Sequence, residues 1–263
     1  MSEAEEFKAC CADFYADDVV RRILGDSFHP GGLDLTRRLL EAAHAGPDDR
    51  LLDVAAGQGS SAALAAEETG CSVVALDLSA ENLLRAAEEA ARRGLGDRFE
   101  TRLSDAEQLP FEDETFDVIL CECAFCTFPD KQRAAHEMFR VLRPGGRLAL
   151  SDITIVRERF PQELNTLLAR VACIADALPT AELAQLLEDA GFAALVTTDA
   201  SWALGEMVEQ IRGRLLAVEL AGKLAQLDLG AIDLEEGKRM ITGSMAAIRK
   251  GSVGYVTLVG ARG

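Results

Sequence analysis

The stretch Arg50-Leu51-Leu52-Asp53-Val54-Ala55-Ala56-Gly57-Gln58-Gly59-Ser60-Ser61 decides the fold. Leu51, Leu52 and Val54 make a short apolar strand with an acid, Asp53, set into it. A strand covered on both faces seldom keeps a carboxylate unless something holds it. Gly57 and Gly59 follow, where the chain can turn tightly and approach a ligand closely. Ser60 or Ser61 suits the N-terminus of a helix that continues from Ala62 to Glu68.

A second apolar run, Val73-Val74-Ala75-Leu76-Asp77, ends in another acid about 18 residues beyond Gly59. Folds of alternating strands and helices place a ribose-binding carboxylate there. No third glycine completes G-x-G-x-x-G after Gly59, and no Gly-Lys-Ser/Thr makes a P-loop. Asp53 repels a pyrophosphate but suits a cation. The amino group and sulfonium of S-adenosyl-L-methionine meet that requirement. The stretch therefore reads as the nucleoside site of a class I methyltransferase, with a Rossmann-like site for another nucleotide as the alternative.

The length of 263 residues allows one large domain, and 49% apolar residues allow a sizeable core. No run of 18 apolar residues occurs, so no membrane-spanning helix is expected. The N-terminus, Met1-Ser2-Glu3-Ala4-Glu5-Glu6, is acidic and unlike a targeting peptide, which makes a cytoplasmic location the expectation. A net charge of −17 repels phosphate backbones and anionic membranes. Nucleic acid and membrane are thus poor partners, and a small molecule is the better one. The odd count of 7 cysteines argues against a disulfide framework.

Residues 1–46 read as a helical cap segment, broken at Gly25-Asp26-Ser27-Phe28-His29-Pro30-Gly31-Gly32. Residues 47–263 read as one domain. Strands are expected at 50–55, 72–77, 99–103, 116–121, 147–153, 193–198 and 252–261. Helices are expected at 60–69, 80–93, 131–142, 160–178 and 180–190. A helical block over 204–250, with soft spots at Gly230 and Gly243, reads as an insertion before the last strand. Its broad apolar faces suit a packed lid or the surface of a homodimer.

Leu52-Asp53-Val54-Ala55-Ala56-Gly57-Gln58-Gly59 resembles the first motif of class I S-adenosylmethionine-dependent methyltransferases. Ser104-Asp105-Ala106-Glu107-Gln108-Leu109-Pro110-Phe111, with Phe116-Asp117-Val118, resembles a second motif, and Val141-Leu142-Arg143-Pro144-Gly145-Gly146 a third. The resemblance implies an α/β, Rossmann-like seven-stranded sheet of order 3-2-1-4-5-7-6, the seventh strand antiparallel. It also implies residue roles. Asp53 would hold the amino end of S-adenosyl-L-methionine, while Gly57 and Gly59 line its methionine part. Asp77 would take the ribose hydroxyls and Leu78 would pack on the adenine. Asp105 would accept from the adenine amino group, with the Ala106 N–H near a ring nitrogen. Ala55 and Cys121 complete the expected cofactor-binding set.

The fourth strand runs into Cys121-Glu122-Cys123-Ala124-Phe125-Cys126. Ligands of open α/β sheets bind outside the carboxyl ends of the strands, where strand order reverses. Cys121 and Cys123 share a side if the strand stays extended. Thiolates favour soft ions, and the paired C-x-x-C knuckles of structural zinc are missing, so no structural metal is expected. Trivalent arsenic fits better, because its lone pair can attack a sulfonium methyl without a general base. Glu122-Cys123 and the segment around Cys173 resemble arsenite methyltransferases, without the C-terminal domain common in that family. That resemblance implies Cys123 and Cys173 as the core thiols, with Cys126, Cys11 or Cys10 completing the site. A cellular thiol reductant is then a partner. Two other readings stand beside it. One is a small organic acceptor, quinol-like or thiol, with His29 or Glu122 as base. The other is a non-catalytic thiol or metal-binding module.

Overall fold

A computed structural model describes residues 3–25, 28–166, 174, 176–225 and 234–263. Strands β1 (Arg50–Val54), β2 (Ser72–Asp77), β3 (Phe99–Leu103) and β4 (Phe116–Glu122) pair in parallel, and β4 pairs in parallel with β5 (Leu142–Ile155). The last strand, β7 (Val253–Arg262), runs antiparallel between β5 and β6 (Phe192–Asp199). The sheet order is β3-β2-β1-β4-β5-β7-β6, as the resemblance implies.

The central strands are near-continuous apolar runs because both faces are covered. Leu52, Val54, Ile119 and Leu148 pack into one core and Leu51, Val73, Val118 and Ala149 into another. These sets lie on opposite faces of the sheet, as alternation along each strand requires. Helices α4 (Ser60–Thr69) and α5 (Ala80–Arg92) follow β1 and β2. Ser79 caps α5, its hydroxyl accepting from the Asn82 N–H at 3.2 Å. Helix α6 (Lys131–Val141) precedes β5, and α7 (Thr180–Asp189) precedes β6.

Ahead of the sheet lie α1 (Glu3–Ala16), α2 (Asp18–Leu24) and α3 (Gly32–Ala42). Between β6 and β7 lie α8 (Ser201–Ala225) and α9 (Leu234–Arg249). A third apolar cluster joins these two regions, with Ile23 and Leu35 against Leu204, Val208, Leu215 and Ile241. The Arg214 guanidinium on α8 donates to the Leu24 carbonyl at the end of α2. Among the described residues, no helix is long and apolar enough to cross a membrane.

Several placements refine or differ from those expected. Strand β4 does not stay extended to Cys123, which takes a left-handed φ of 51°. Strand β5 begins at Leu142, earlier than expected, since the Pro144–Gly146 segment stays in the strand with a register shift against β4. Where a helix from Phe160 was expected, a short 3-10 turn spans Gln162–Leu164 behind Pro161, and Leu178 bridges Thr154. Residues 167–173 and 175 of that segment lie outside the described residues. Gly243 does not interrupt α9; lacking a side chain, it lets the helix approach Leu164. Gly230 lies outside the described residues.

Candidate active site

The site grows from the turn after β1. Asp53 is 2% exposed, and burial, the first cause, with Glu122 and Asp77 next, pushes its carboxyl well above the usual range. The Ala62 N–H, in the first turn of α4, pulls the other way. Its Oδ2 has no hydrogen-bond partner among the described residues. Asp77, at the end of β2, pins the glycine turn: its Oδ2 accepts from the Gly57 N–H and its Oδ1 from the Ser79 N–H, both at 2.8 Å. Burial still raises the Asp77 carboxyl, against those hydrogen bonds.

A crevice opens beside this turn. Asp53, Ala55, Gly57, Asp77, Leu78, Asp105 and Ala106 all line it. Gly59 and Cys121 do not. Gly59 has φ 73°, and a Cβ there would stand 2.6 Å from the Ala86 Cβ, so it serves the close packing of α4 on α5. Cys121 is fully buried in the apolar core. Of the expected cofactor-binding set, these two alone stand off the crevice wall.

Glu122, the last residue of β4, also lines the crevice, with its side chain 4% exposed. The Thr36 hydroxyl on α3 donates to its Oε2 at 3.0 Å. His29 Nδ1 lies 3.5 Å from Glu122 Oε1, and His29 Nε2 lies 3.2 Å from the Ser61 hydroxyl. The crevice thus gathers three buried carboxylates, Asp53, Asp77 and Glu122, and it contains two further orphaned polar atoms, Gln58 Nε2 and Asn82 Oδ1. Surplus buried negative charge and unpartnered polar atoms fit a cationic ligand that carries hydroxyl and amino groups. S-adenosyl-L-methionine has those properties.

Helix α1 roofs this crevice, and its spacing explains how. Lys8, Cys11, Ala12 and Tyr15 repeat at helical intervals along the crevice side. The Lys8 ammonium bridges Asp105 Oδ2 at 2.6 Å and Glu107 Oε2 at 2.5 Å. Burial opposes its charge, but hydrogen bonds to Asp105 and Glu107 outweigh that and raise its pKa. The other Asp105 oxygen accepts from the Glu107 N–H at 2.9 Å.

The neighbouring side of α1, with Glu6, Cys10, Asp13 and Phe14, borders a second cavity of about 800 Å³. Ile23, Ile153, Leu204, Val208, Leu215 and Ile241 give it apolar walls. Tyr15, Phe28 and Cys123 line both spaces and mark where they meet.

The cysteines divide. Cys11 and Cys123 line the crevice, and Cys10 and Cys123 line the second cavity. Cys126 is buried in the apolar cluster of the cap and insertion, its N–H donating to Asp152 Oδ2 at 2.7 Å, and lines neither space. It was expected as one of the thiols completing the site, and Cys123 packs against the same cluster. Cys173, Asp26 and Ser27 lie outside the described residues. Among the described residues, no group of three or more His, Cys, Asp and Glu side chains is arranged to hold a metal ion.

Sheet order and crevice are those of the Rossmann-like fold seen in solved S-adenosylmethionine-dependent methyltransferases. Residues 52–150 match the family model described as a methyltransferase domain. The methyltransferase GfsG of Streptomyces halstedii is 33% identical over 57% of this chain and 60% of that protein. An arsenite methyltransferase of Halobacterium salinarum is 34% identical over 57% of this chain and 38% of that protein. The chain thus spans less than two thirds of either relative. A phosphoethanolamine N-methyltransferase of Haemonchus contortus, solved with phosphomonomethylethanolamine and S-adenosylhomocysteine, superposes with a TM-score of 0.79. It is 19% identical and covers 96% of this chain and 60% of that one.

Proposed function

We propose that this protein transfers the methyl group of S-adenosyl-L-methionine to a small, largely apolar organic acceptor held in the second cavity. The observation that carries this reading is the junction at Tyr15, Phe28 and Cys123, where the polar crevice opens onto an apolar chamber. The cofactor supplies an electrophilic methyl on a sulfonium. Asp53 and Glu122 offer negative charge to its cationic end, and Asp77 and Asn82 offer partners to its ribose. Leu78 and Ala106 give its adenine an apolar seat, and the apolar chamber walls keep water from the acceptor. Positioning then supplies most of the rate.

The test pairs a labelled-methyl transfer assay with a filled chamber. Lipophilic quinols and thiols, arsenite and selenite are offered as acceptors. An organic acceptor is expected to take the label, and Val208→Trp is expected to abolish transfer while S-adenosylhomocysteine still binds. Label moving to arsenite alone would overturn the organic reading.

The metalloid reading draws on Cys10, Cys11 and Cys123 bordering the joined spaces, and on the Halobacterium relative. In that case Cys123→Ser or Cys173→Ser removes arsenite methylation and spares cofactor binding, and a thiol reductant must recycle the site. Unchanged arsenite turnover in both variants ends it.

A further inference from the structure

The chamber is apolar within and acidic at its mouth. Glu6, Asp13 and Asp17 stand exposed along its α1 side, and Glu236 joins them from α9. Among the described residues, no lysine, arginine or histidine lines it. Phosphate and carboxylate ligands are ordinarily met by such cations. A separate signal comes from Ser244 on α9. It is 3% exposed and lines the chamber, and its hydroxyl has no hydrogen-bond partner among the described residues. A buried hydroxyl left without a partner is unfavourable, and a polar group on a ligand removes the penalty.

We propose that the chamber is a binding site for a lipophilic organic cation. The apolar body lies against Leu204, Val208 and Ile241. A hydrogen-bonding group on that body reaches Ser244. A protonated basic nitrogen sits at the acidic rim of Asp13, Asp17 and Glu236, clear of the methyl-accepting atom at the inner junction. The net charge of −17 draws the same class of molecule from solution. This inference rests on the reading of the chamber as the acceptor site and adds the charge class of the acceptor.

The test is calorimetric titration of the full chain, loaded with S-adenosylhomocysteine, with decylamine, decanol and decyl phosphate below their micelle concentrations. Decylamine is expected to bind about tenfold more tightly than decanol, and decyl phosphate most weakly. The double variant Asp13→Asn, Glu236→Gln is expected to bring decylamine to the level of decanol and leave decanol unchanged. Ser244→Ala is expected to leave the preference for the amine intact. S-adenosylhomocysteine affinity, unaltered in each variant, certifies the fold. Equal binding of all three probes, tightest binding of decyl phosphate, or an amine preference that survives the double variant overturns the cation class alone. Failure of every probe to bind overturns the chamber as an acceptor site as well.

Discussion

Asp53 sets the electrostatics of the crevice. Burial holds its carboxyl above the ordinary range, and Glu122 and Asp77 add to the effect. Such a group binds its proton more tightly folded than unfolded. Stability is therefore present below the ordinary carboxylate pKa and is lost as pH rises through the raised folded value. Asp53→Asn is expected to stabilise the ligand-free protein at neutral pH by about 1–2 kcal/mol, seen as a higher melting temperature. The same substitution is expected to weaken S-adenosylmethionine binding by about 1.5–3 kcal/mol. A variant that melts lower at neutral pH and higher in acid contradicts the assignment. A cationic ligand favours the ionised carboxylate, so binding is expected to release protons into the buffer. Calorimetry in buffers of different ionisation heat reads that release, and Asp53→Asn should diminish it. At this scale the sequence exposes Asp53, Asp77 and Asp105, because each sits in a local motif. It hides the union of Glu122 with Thr36 and His29, because 86 positions separate Thr36 from Glu122.

At the level of elements, two joints control the crevice. One is the contact of α4 with α5 at Gly59. A Cβ there meets Ala86 and forces a side chain into φ 73°. Gly59→Ala is expected to cost about 2–4 kcal/mol in chemical unfolding, combining backbone strain with overpacking. A cost near zero would show that the two helices can separate freely. The other joint is the Lys8 bridge from α1 to Asp105 and Glu107. Its groups are partly exposed, so solvent screens it, and Lys8→Met is expected to loosen α1 by about 1 kcal/mol. Hydrogen exchange over residues 3–16 should then quicken about fivefold, with exchange in β1 and β4 unchanged. Faster exchange in those strands would make Lys8 a part of the core instead. Helix α1 was legible as part of a cap, but not which of its side chains face the crevice and which the chamber. Its side chains serve a polar crevice on one side and an apolar chamber on the next, which blurs the single apolar stripe that sequence patterns reveal.

For the molecule as a whole, strand order follows from the alternation of apolar runs and helices together with the resemblance of the three motifs. The chamber does not follow from either. It forms where the segment before β1 meets the one before β7, and only folding brings Ile23 and Leu35 against Leu204 and Val208. Thiols close together in sequence also take different surroundings, since Cys121 lies in the core cluster of the sheet while Cys126, with Cys123 packed beside it, belongs to the cluster of the cap and insertion. The central claim is that a sulfonium cofactor occupies the crevice between Asp53 and Asp77. Equilibrium titration of the protein with S-adenosylmethionine, set beside the same titration of Asp77→Ala, tests it most directly. The account predicts saturable one-to-one binding that weakens at least about tenfold in the variant. Binding that fails to saturate, or that is indifferent to Asp77, contradicts it.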